Sequence, residues 1–370
     1  MLNIEVDTKI AIIHYWLINM RGGEKVLEAL LEIFPGADIY THVYNKKNIS
    51  EKIKSHKIFT TFINRLPFAD KLYQYYLPLM PKALSKLDLQ KYDFIISSES
   101  GPAKGVTIHE DAYHICYCHT PMRYVWDLYN DYLKQSNFIV KFFMRLFIPY
   151  LRIWDIQTSE KVNCFIANSE FVAKRIRRYY NKASKVIYPP VSIEKYLSIN
   201  RKPNDFYLFF GQLTKYKRYD IAIEACLKIG RSLIVVGGGL SRKEFIKYGK
   251  NGLIKFTGSL PDPDIIKLLS EAKALLFPGI EDFGIIPVEA MAAGCPVIAY
   301  RRGGAMETVL ENVTGLFFDE QTVESLVDAI IRFEKQEKQF NDRDKFKKHV
   351  QQFSKDEFLK KIKKVIYEEE

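Results

Sequence analysis

Residues 278–304 read PGIEDFGIIPVEAMAAGCPVIAYRRGG, and the order of elements around this stretch decides the fold that we predict. The stretch begins at the end of a short apolar run, ALLFPG at 274–279, which is typical of a buried strand. A helical pattern begins near Ile286, and the chain then enters a second apolar run, PVIAY at 296–300. A strand, a helix and another strand in succession predict a parallel α/β sheet.

The same alternation of apolar runs and helical patterns occurs on both sides of Pro189-Pro190. A double proline cannot continue a helix, so it marks a boundary between two parts of the chain. We therefore predict an α/β protein of two Rossmann-like domains that face each other across a cleft, with ligands at the carboxyl ends of the strands. The predicted strands are residues 9–15, 93–97, 114–118 and 164–168 in the first series, and 205–211, 232–238, 254–258, 274–279 and 296–300 in the second.

The predicted boundaries divide the chain into three parts. Residues 1–188 form the first domain, residues 189–352 form the second, and residues 353–370 form a C-terminal helix. We expect this helix to pack back on the first domain, because its apolar residues repeat on one face. Those residues are Phe358, Ile362, Val365 and Ile366.

The composition favours a packed protein of a reducing compartment. Hydrophobic residues make up 47% of the chain, which is too many for a disordered chain. The five cysteines form no CxxC pair, as expected where disulfides do not form. Glu5 and Asp7 stand where a secretory signal would carry positive charge, so we expect no export. The expected location is the cytoplasm, with the inner face of the cell membrane as a peripheral alternative.

The net charge of +11 favours an anionic partner, namely a phosphorylated ligand or an anionic membrane surface. Nucleic acid is not expected, because no zinc-finger spacing, RNP-like motif or long basic tail is present. Residues 138–156 are the candidate membrane contact, since Lys141, Arg145 and Arg152 fall on one helical stripe surrounded by apolar side chains. A buried helix with one solvated face explains this pattern equally well. Pro149 should kink the helix.

Two glutamates lie eight residues apart in the opening stretch, at Glu281 and Glu289. The first precedes the predicted helix and the second lies inside it. Backbone N–H groups at the start of the helix are available for an anion, and two carboxylates suit a sugar hydroxyl and a ribose diol. The backbone groups in question belong to Phe283, Gly284, Ile285 and Ile286.

Cations follow the first strand of the second series. Lys217 and Arg218 lie in GQLTKYKRYD, 211–220, where they can neutralise a diphosphate, although an exposed helix start would also explain them. Asp262 and Asp264 spell DxD in PDPD, but they precede a helical pattern and are better explained as a helix N-cap than as metal ligands. We expect no metal site and no organic cofactor.

At this point the chain resembles a known family. Residues 278–304 resemble the E-x7-E motif of the family 4 retaining glycosyltransferases, which have the GT-B fold. The resemblance extends to IIHYWLINMRGGEKVLEAL, HTPMRYVWD, FIANSEFVAKRIRRYY and VIYPPV, at 12–30, 119–127, 165–180 and 186–191. These motifs look like those of bacterial O-antigen and exopolysaccharide mannosyltransferases. The resemblance implies transfer of a hexose, mannose from GDP-mannose, onto a glycan or lipid-linked glycan in cell-surface polysaccharide synthesis.

The resemblance also implies roles for individual residues. Glu281 would hold hydroxyls of the donor sugar, Glu289 the nucleotide ribose, and His119 would contact the donor sugar beside the anomeric carbon. The departing phosphate, rather than a protein carboxylate, would accept the proton of the acceptor. The first domain would bind the acceptor and the second the nucleotide sugar. Where the family usually has arginine this chain has Gln212, so either Arg218 compensates or the phosphate clamp is weaker.

Further contacts are expected by the same resemblance. Gly22 and Gly23 would let the backbone approach the donor diphosphate, because glycine has no Cβ. Gly258 and Leu260 would contact the nucleobase. The candidate acceptor contacts are Lys104, Arg123 and Tyr124.

Four alternatives stay open or are disfavoured at this point. A UDP-sugar could replace GDP-mannose as the donor. An epimerase or a glycan phosphorylase could share the fold, and a non-catalytic nucleotide-sugar-binding subunit is consistent with Gln212. A dinucleotide-dependent oxidoreductase is disfavoured, because no GxGxxG follows the first strand.

Overall fold

The computed structural model describes residues 8–249 and 251–367, and the chain forms two compact units. The first unit runs to Pro190 and takes up the chain again from Phe358. The second unit contains the residues between these two points. Each unit has its own parallel sheet, so each is described separately.

The C-terminal helix differs slightly from the segment predicted at 353–370. It runs from Lys355 to Tyr367, so the division between the units falls inside it. Residues 368–370 of the predicted segment lie outside the described part of the chain. Glu5 and Asp7, on which the expectation of no export rests, also lie outside it.

The first unit contains a seven-stranded parallel sheet. Its strands are β1 (Ile10–His14), β2 (Asp38–Thr41), β3 (Ile58–Thr60), β4 (Phe94–Glu99), β5 (Tyr113–Cys118), β6 (Cys164–Ala167) and β7 (Lys185–Val186). They are ordered β3-β2-β1-β4-β5-β6-β7, with Ile12 opposite both Ile39 and Ile96. Every residue of β4 is buried, as expected of a strand covered on both faces.

Among the described residues of the first series, the α-helices number seven. They are α1 (Gly22–Ile33), α2 (Glu51–Lys54), α3 (Ala69–Leu72), α4 (Met80–Leu84), α5 (Tyr129–Gln135), α6 (Phe138–Ser159) and α7 (Glu170–Tyr180). Gly22 and Gly23 are the first two residues of α1. The helix starts at this point because the Glu24 carboxylate accepts the Arg21 N–H at 2.8 Å. Gly23 must be glycine, since a Cβ there would lie 2.2 Å from the hydroxyl oxygen of Tyr15.

The second unit contains a six-stranded parallel sheet in the order β10-β9-β8-β11-β12-β13. Its strands are β8 (Tyr207–Phe210), β9 (Leu233–Val236), β10 (Ile254–Gly258), β11 (Leu275–Phe277), β12 (Val297–Tyr300) and β13 (Gly315–Phe318). The remaining helices are α8 (Glu194–Leu197), α9 (Tyr219–Lys228), α10 (Arg242–Tyr248), α11 (Asp262–Glu271), α12 (Ile285–Ala292), α13 (Ala305–Thr308), α14 (Val323–Lys335), α15 (Arg343–Val350) and α16 (Lys355–Tyr367).

Each predicted apolar run contains a strand, so the predicted fold of two Rossmann-like parallel sheets is confirmed. The prediction missed the short strands β2, β3, β7 and β13. In both sheets the strand order reverses once. Neighbours β1 and β4 are not consecutive in the first unit, and neighbours β8 and β11 are not consecutive in the second. At such a reversal the connections leave toward opposite faces, which opens a crevice at the carboxyl ends of the strands.

The predicted basic stripe of α6 is only partly correct. Arg145 is exposed, but Arg152 donates to the Val125 carbonyl oxygen at 3.0 and 2.9 Å. The Arg152 guanidinium also lies 5.3 Å from the Trp126 ring centroid, so it faces the protein. Pro149 lies inside α6 without ending it. The outward face of α6 is therefore mainly apolar.

The C-terminal helix α16 contributes to the core of the first unit. Phe358, Ile362 and Ile366 are buried in one hydrophobic cluster with strands β1, β4 and β5, and Val365 is partly buried against it. The Phe358 ring lies edge-on to Tyr117, with ring centroids 5.7 Å apart. The last helix is thus part of the first unit's packing.

We predict that Phe358→Ala destabilises the protein by about 3–5 kcal/mol, because it removes a buried aromatic ring and leaves a cavity. Urea unfolding should show a lower midpoint for this variant. Lys363→Ala, which changes an exposed residue of the same helix, is the control and should shift stability by no more than about 0.5 kcal/mol. Equal stability of the two variants would show that α16 is dispensable.

Candidate active site

The carboxyl ends of β8 and β11 carry an ion pair. These strands are neighbours at the reversal of the second sheet. Lys217 ends a 3₁₀ turn after β8, and Glu281 lies in the loop after β11. The Lys217 Nζ and Glu281 Oε1 atoms are 2.8 Å apart, and the two side chains are only 13% and 19% exposed. A cation and an anion thus meet where an open α/β sheet binds its ligand.

Glycines let the loops around this pair approach backbone to backbone. A Cβ at Gly279 would lie 2.8 Å from the Lys217 Cα, and one at Gly211 would lie 2.9 Å from the Lys217 Nζ. The Gly304 N–H donates to the Glu281 carbonyl oxygen at 2.8 Å, and a Cβ at Gly304 would lie 2.3 Å from the Phe283 carbonyl oxygen. The loops after β8, β11 and β12 therefore hold Lys217 and Glu281 by close contact of main chains.

Helix α12 begins directly beside this pair. Gly284 is its N-cap, with a φ of 89°, and Ile285 and Ile286 form its first turn. First-turn N–H groups have no acceptor within their own helix, so they point outward from the N-terminus. The Phe283 side chain is buried against Phe353, with ring centroids 5.6 Å apart. The helix start is thus anchored by an aromatic core contact.

Glu289 lies one turn inside α12 and is partly buried. Burial raises the pKa of its carboxyl group from 4.5 to about 7, although the hydrogen bond from Tyr196 and the charge of Lys195 oppose this rise. Tyr196 lies in α8 and is itself buried. Sequence reasoning missed Tyr196, because its contact with Glu289 joins residues that are distant in the chain.

The remaining predicted donor residues lie at two places in the second unit, the loop after β8 and the carboxyl end of β10. Arg218 has a φ of 53° and its guanidinium donates to both carboxylate oxygens of Asp220 at 3.0–3.2 Å. It is therefore tied to a local carboxylate, and Lys217 is the cation beside Glu281. Gln212 is exposed at the start of the same loop. Gly258 and Leu260 lie at the carboxyl end of β10, two strands away from β8.

His119 directly follows β5 in the first unit. Its Nε2 lies 2.9 Å from the Ser98 Oγ, and that oxygen lies 3.0 Å from the Nδ1 of His14. Burial and the neighbouring His14 lower the pKa of His119 to about 3, so the ring is neutral at physiological pH. His14 ends β1 and Ser98 is the last residue but one of β4, the two strands at which this sheet reverses. Sequence reasoning missed both, although His14 lies in the predicted strand 9–15 and Ser98 directly follows the predicted strand 93–97.

Lys104 does not have the exposed position that we expected of an acceptor contact. Its ammonium is buried, 3.1 Å from the Glu99 carboxylate and in contact with Asp155 and Tyr180. Burial acts to lower the pKa of Lys104, but the two carboxylates overcome this effect and raise it. An ammonium so paired inside the unit is committed to its two carboxylates, because removing one partner would leave a buried charge unpaired, and it cannot reach an outside ligand.

The other two acceptor candidates are placed differently. Arg123 is partly exposed. Tyr124 is partly buried and packs against the cluster of Met122, Ile148 and Leu151.

Asp262 and Asp264 lie in the first turn of α11, after Pro261 as its N-cap. This corrects the expectation that an aspartate caps the helix, although both carboxylates still complement the helix dipole. Asp262 pairs with Lys195 at 2.7 Å. Within residues 8–249 and 251–367, no three His, Cys, Asp or Glu side chains are grouped as metal ligands would be.

Two family profiles match consecutive parts of the chain. The profile of Glycosyltransferase Family 4 matches residues 20–195, and the profile of Glycosyl transferases group 1 matches residues 193–353. Together they cover most of both units.

Solved structures of the same fold extend over nearly the whole chain. Anabaena HepE, solved in complex with UDP and glucose, matches with a TM-score of 0.68 and 17% identity, over 98% of this chain and 100% of HepE. Sucrose-phosphate synthase from Thermosynechococcus elongatus matches with a TM-score of 0.72 and 18% identity, over 97% of this chain and 98% of its own. These likenesses show that the two Rossmann-like domains are those of the GT-B class.

Relatives of known activity match shorter regions. Human alpha-1,3/1,6-mannosyltransferase ALG2 is 27% identical over 243 residues, which are 56% of this chain and 56% of ALG2. The GDP-mannose-dependent alpha-(1-6)-phosphatidylinositol monomannoside mannosyltransferase of Mycobacterium tuberculosis is 35% identical over 113 residues, 27% of this chain and 29% of that enzyme. The chain thus spans about half the length of ALG2 and less of the mycobacterial enzyme. With both family profiles, these matches support a family 4 glycosyltransferase of GT-B fold.

The raised pKa of Glu289 predicts a pH dependence of stability. Because its folded pKa of about 7 exceeds the ordinary 4.5, the carboxyl group stabilises the fold below about pH 4.5 and loses this contribution as the pH rises to about 7. The free energy of unfolding of the wild type, relative to Glu289→Gln, should therefore fall over this range and stay level above it. Urea unfolding at a series of pH values measures this difference.

Glu320→Gln is the matched control, because Glu320 is an exposed glutamate of the same unit. The free energy of unfolding of the wild type, relative to Glu320→Gln, should not fall with pH in this way. The raised pKa would be contradicted if the free energy of unfolding of the wild type, relative to Glu289→Gln, stays constant or rises between pH 4.5 and 7.

Proposed function

We propose that this protein is a retaining hexosyltransferase that moves mannose from GDP-mannose onto a hydroxyl of a glycan or lipid-linked glycan in cell-surface polysaccharide synthesis. The observation that carries the proposal is the Lys217–Glu281 pair at the sheet reversal, in the loops that precede the helix carrying Glu289. The mannosyl donor is supported by the names of ALG2 and of the mycobacterial enzyme. A UDP-sugar is the second candidate, since HepE was solved with UDP and glucose.

The proposed roles follow from charge. The Lys217 ammonium neutralises the departing diphosphate, while the Glu281 carboxylate accepts a hydrogen bond from a donor-sugar hydroxyl. The bond from the anomeric carbon to phosphate breaks, and a bond from that carbon to the acceptor oxygen forms on the same face. The acceptor proton passes to the departing phosphate oxygen. In this scheme the protein supplies positioning and charge stabilisation, and neither Glu281 nor Glu289 acts as a nucleophile.

Glu289 and His119 are the other two proposed donor contacts with a named partner group. Glu289 holds the ribose, and neutral His119 hydrogen-bonds the donor sugar. Metal-free catalysis, without an organic cofactor, is part of the proposal. The supporting contacts are Gly22 and Gly23 near the diphosphate, Gln212 and Arg218 at the loop after β8, Gly258 and Leu260 near the base, and Phe283, Gly284, Ile285 and Ile286 at the start of α12.

We predict that the wild type slowly releases mannose from GDP-mannose without added metal, and faster than it releases sugar from UDP-sugars. Lys217→Ala should lower this rate by about 100-fold, because a preorganised charge at the leaving group is lost. Lys215→Ala is the matched control, since Lys215 is an exposed lysine of the same 3₁₀ turn. Sugar release and thermal stabilisation by GDP or UDP are the measurements.

The outcomes separate the alternatives. Unchanged rate and donor affinity in Lys217→Ala would refute the diphosphate assignment. A preference for UDP-sugars would move the donor while keeping the transferase. Stabilisation by a nucleotide without any turnover, with acceptor glycans present, would favour the non-catalytic subunit. Turnover that needs phosphate would indicate a phosphorylase, and conversion of the free nucleotide sugar an epimerase.

We also propose peripheral contact with an anionic membrane through residues 138–156. Ile148, Leu151 and Asp155 of α6 are buried, whereas its opposite face exposes large apolar side chains. Every helix in the described part of the chain is too short or too polar to cross a membrane. The exposed set, each side chain 49–83% accessible, is Phe138, Ile139, Phe142, Phe143, Leu146, Tyr150 and Ile153.

A second segment extends this apolar face. Leu77 packs in the same cluster as Ile148 and Leu151, which places the turn at residues 73–79 beside α6. This segment and α3 also expose apolar side chains, together with lysines that complement anionic lipid headgroups. The exposed apolar residues are Phe68, Leu72, Tyr75 and Leu79, and the exposed lysines nearby are Lys71 and Lys82.

We predict that the protein sediments with vesicles that contain phosphatidylglycerol, and less with vesicles of phosphatidylcholine alone. The double change Phe142→Ser and Leu146→Ser should weaken binding by at least about tenfold, because each side chain loses a burial energy of about 1.5–3 kcal/mol. Ile331→Ser, at an exposed apolar residue of the second unit, is the control. Equal vesicle binding by both variants would refute the proposed face.

A further inference from the structure

A line of buried polar side chains connects α1 to His119 in the first unit. It begins at Glu24, whose Oε1 lies 3.6 Å from the His14 Nε2. It continues from His14 Nδ1 to Ser98 Oγ at 3.0 Å, and from Ser98 Oγ to His119 Nε2 at 2.9 Å. Glu24, His14 and Ser98 are 2%, 1% and 0% exposed. We call these three residues the Glu24 relay.

The single hydroxyl proton of Ser98 couples the two imidazoles. Ser98 Oγ lies between two ring nitrogens, and it can donate to only one of them. If the Ser98 hydroxyl donates a hydrogen bond to His14 Nδ1, its oxygen must accept a hydrogen bond from an N–H at His119 Nε2. If it donates to His119 Nε2, its oxygen must accept a hydrogen bond from an N–H at His14 Nδ1. The tautomers of His14 and His119 therefore change together.

Glu24 decides between these two arrangements. One of its carboxylate oxygens accepts the Arg21 N–H at 2.8 Å, and the other faces the His14 Nε2. An ionised carboxylate only accepts hydrogen bonds, so it favours the His14 tautomer with the proton on Nε2. That tautomer leaves His14 Nδ1 as an acceptor for the Ser98 hydroxyl. His119 must then carry its proton on Nε2.

We propose that the Glu24 relay fixes His119 as the Nε2–H tautomer and so presents its Nδ1 as a hydrogen-bond acceptor for a hydroxyl of the donor sugar. The relay residues are positioning residues, because they act through His119. The part that concerns the sugar rests on the function proposed above, whereas the tautomer itself does not. An acceptor nitrogen favours a sugar with a hydroxyl at the contacted carbon over one with a hydrogen or a carboxylate there.

The burial of His119 is consistent with this assignment. Because burial lowers the pKa of His119 to about 3, the ring carries one proton at neutral pH and must choose a tautomer. The nearest ring groups, Tyr15 and Tyr117, lie edge-on to it, with centroids 6.1 and 5.1 Å away. These contacts orient the ring plane, and within the described part of the chain the hydrogen bond to the ring Nε2 comes from Ser98 of the relay.

The decisive variant is Glu24→Gln in the full chain. Its amide oxygen can still accept the Arg21 N–H, while its amide nitrogen can donate to His14 Nε2. The polarity of the Glu24–His14 contact and the direction of the two Ser98 hydrogen bonds then reverse, so His119 Nε2 accepts a hydrogen bond from Ser98 and the ring carries its proton on Nδ1. Glu28→Gln is the matched control, because Glu28 lies on the same helix and pairs with Lys25 at the surface. The tautomer is read from the ring ¹⁵N shifts of labelled histidine, with His119 assigned by its loss in His119→Asn.

We expect the Nε2–H tautomer of His119 in the wild type and in Glu28→Gln, and the Nδ1–H tautomer in Glu24→Gln. Turnover of the donor should fall by about tenfold in Glu24→Gln, because one hydrogen bond to the donor sugar is lost. A wild-type Nδ1–H tautomer, or a His119 tautomer unchanged by Glu24→Gln, would overturn the relay. If Glu24→Gln does not fold, Ser98→Ala replaces it and should give mixed tautomers, and a single unchanged tautomer would again refute the proposal. A tautomer switch without any donor turnover would refute the proposed function but leave the relay intact.

Discussion

The reversal of strand order within each parallel sheet is the constraint on which both candidate sites depend. Where β1 meets β4 and where β8 meets β11, successive connections leave toward opposite faces, and the carboxyl ends stay uncovered. The polar side chains that follow these strands are therefore the ones that a ligand can approach. Lys217 and Glu281 occupy this position in the second unit, whereas His14 and Ser98 lie buried at the carboxyl ends of β1 and β4 in the first.

Burial gives these polar groups their chemical character. A cation and a carboxylate that are mostly shielded from water interact more strongly than the same pair on the surface, so the loops that shield Lys217 and Glu281 also determine what they can do. The same effect keeps His119 neutral and brings the carboxyl group of Glu289 close to neutrality at pH 7. Lys104 shows the opposite outcome, since two buried carboxylates hold its charge inside the fold.

The sequence predicted what depends on local pattern. Long apolar runs such as β4 and β5 predicted the sheets, and the helical pattern from near Ile286 predicted the start of α12. Short strands such as β7 were missed, because two residues carry no periodicity. Contacts between distant residues were also missed: the pairing of Tyr196 with Glu289 and the burial of Lys104 follow from packing, which no local pattern encodes.

The most direct test of the central claim is a crystal structure of the protein with GDP or UDP bound. The account predicts the diphosphate within hydrogen-bond distance of Lys217 Nζ and the ribose hydroxyls at the Glu289 carboxylate, beyond the carboxyl ends of β8 and β11. A nucleotide bound at the opposite edge of this sheet, or away from Lys217 and Glu289, would contradict it.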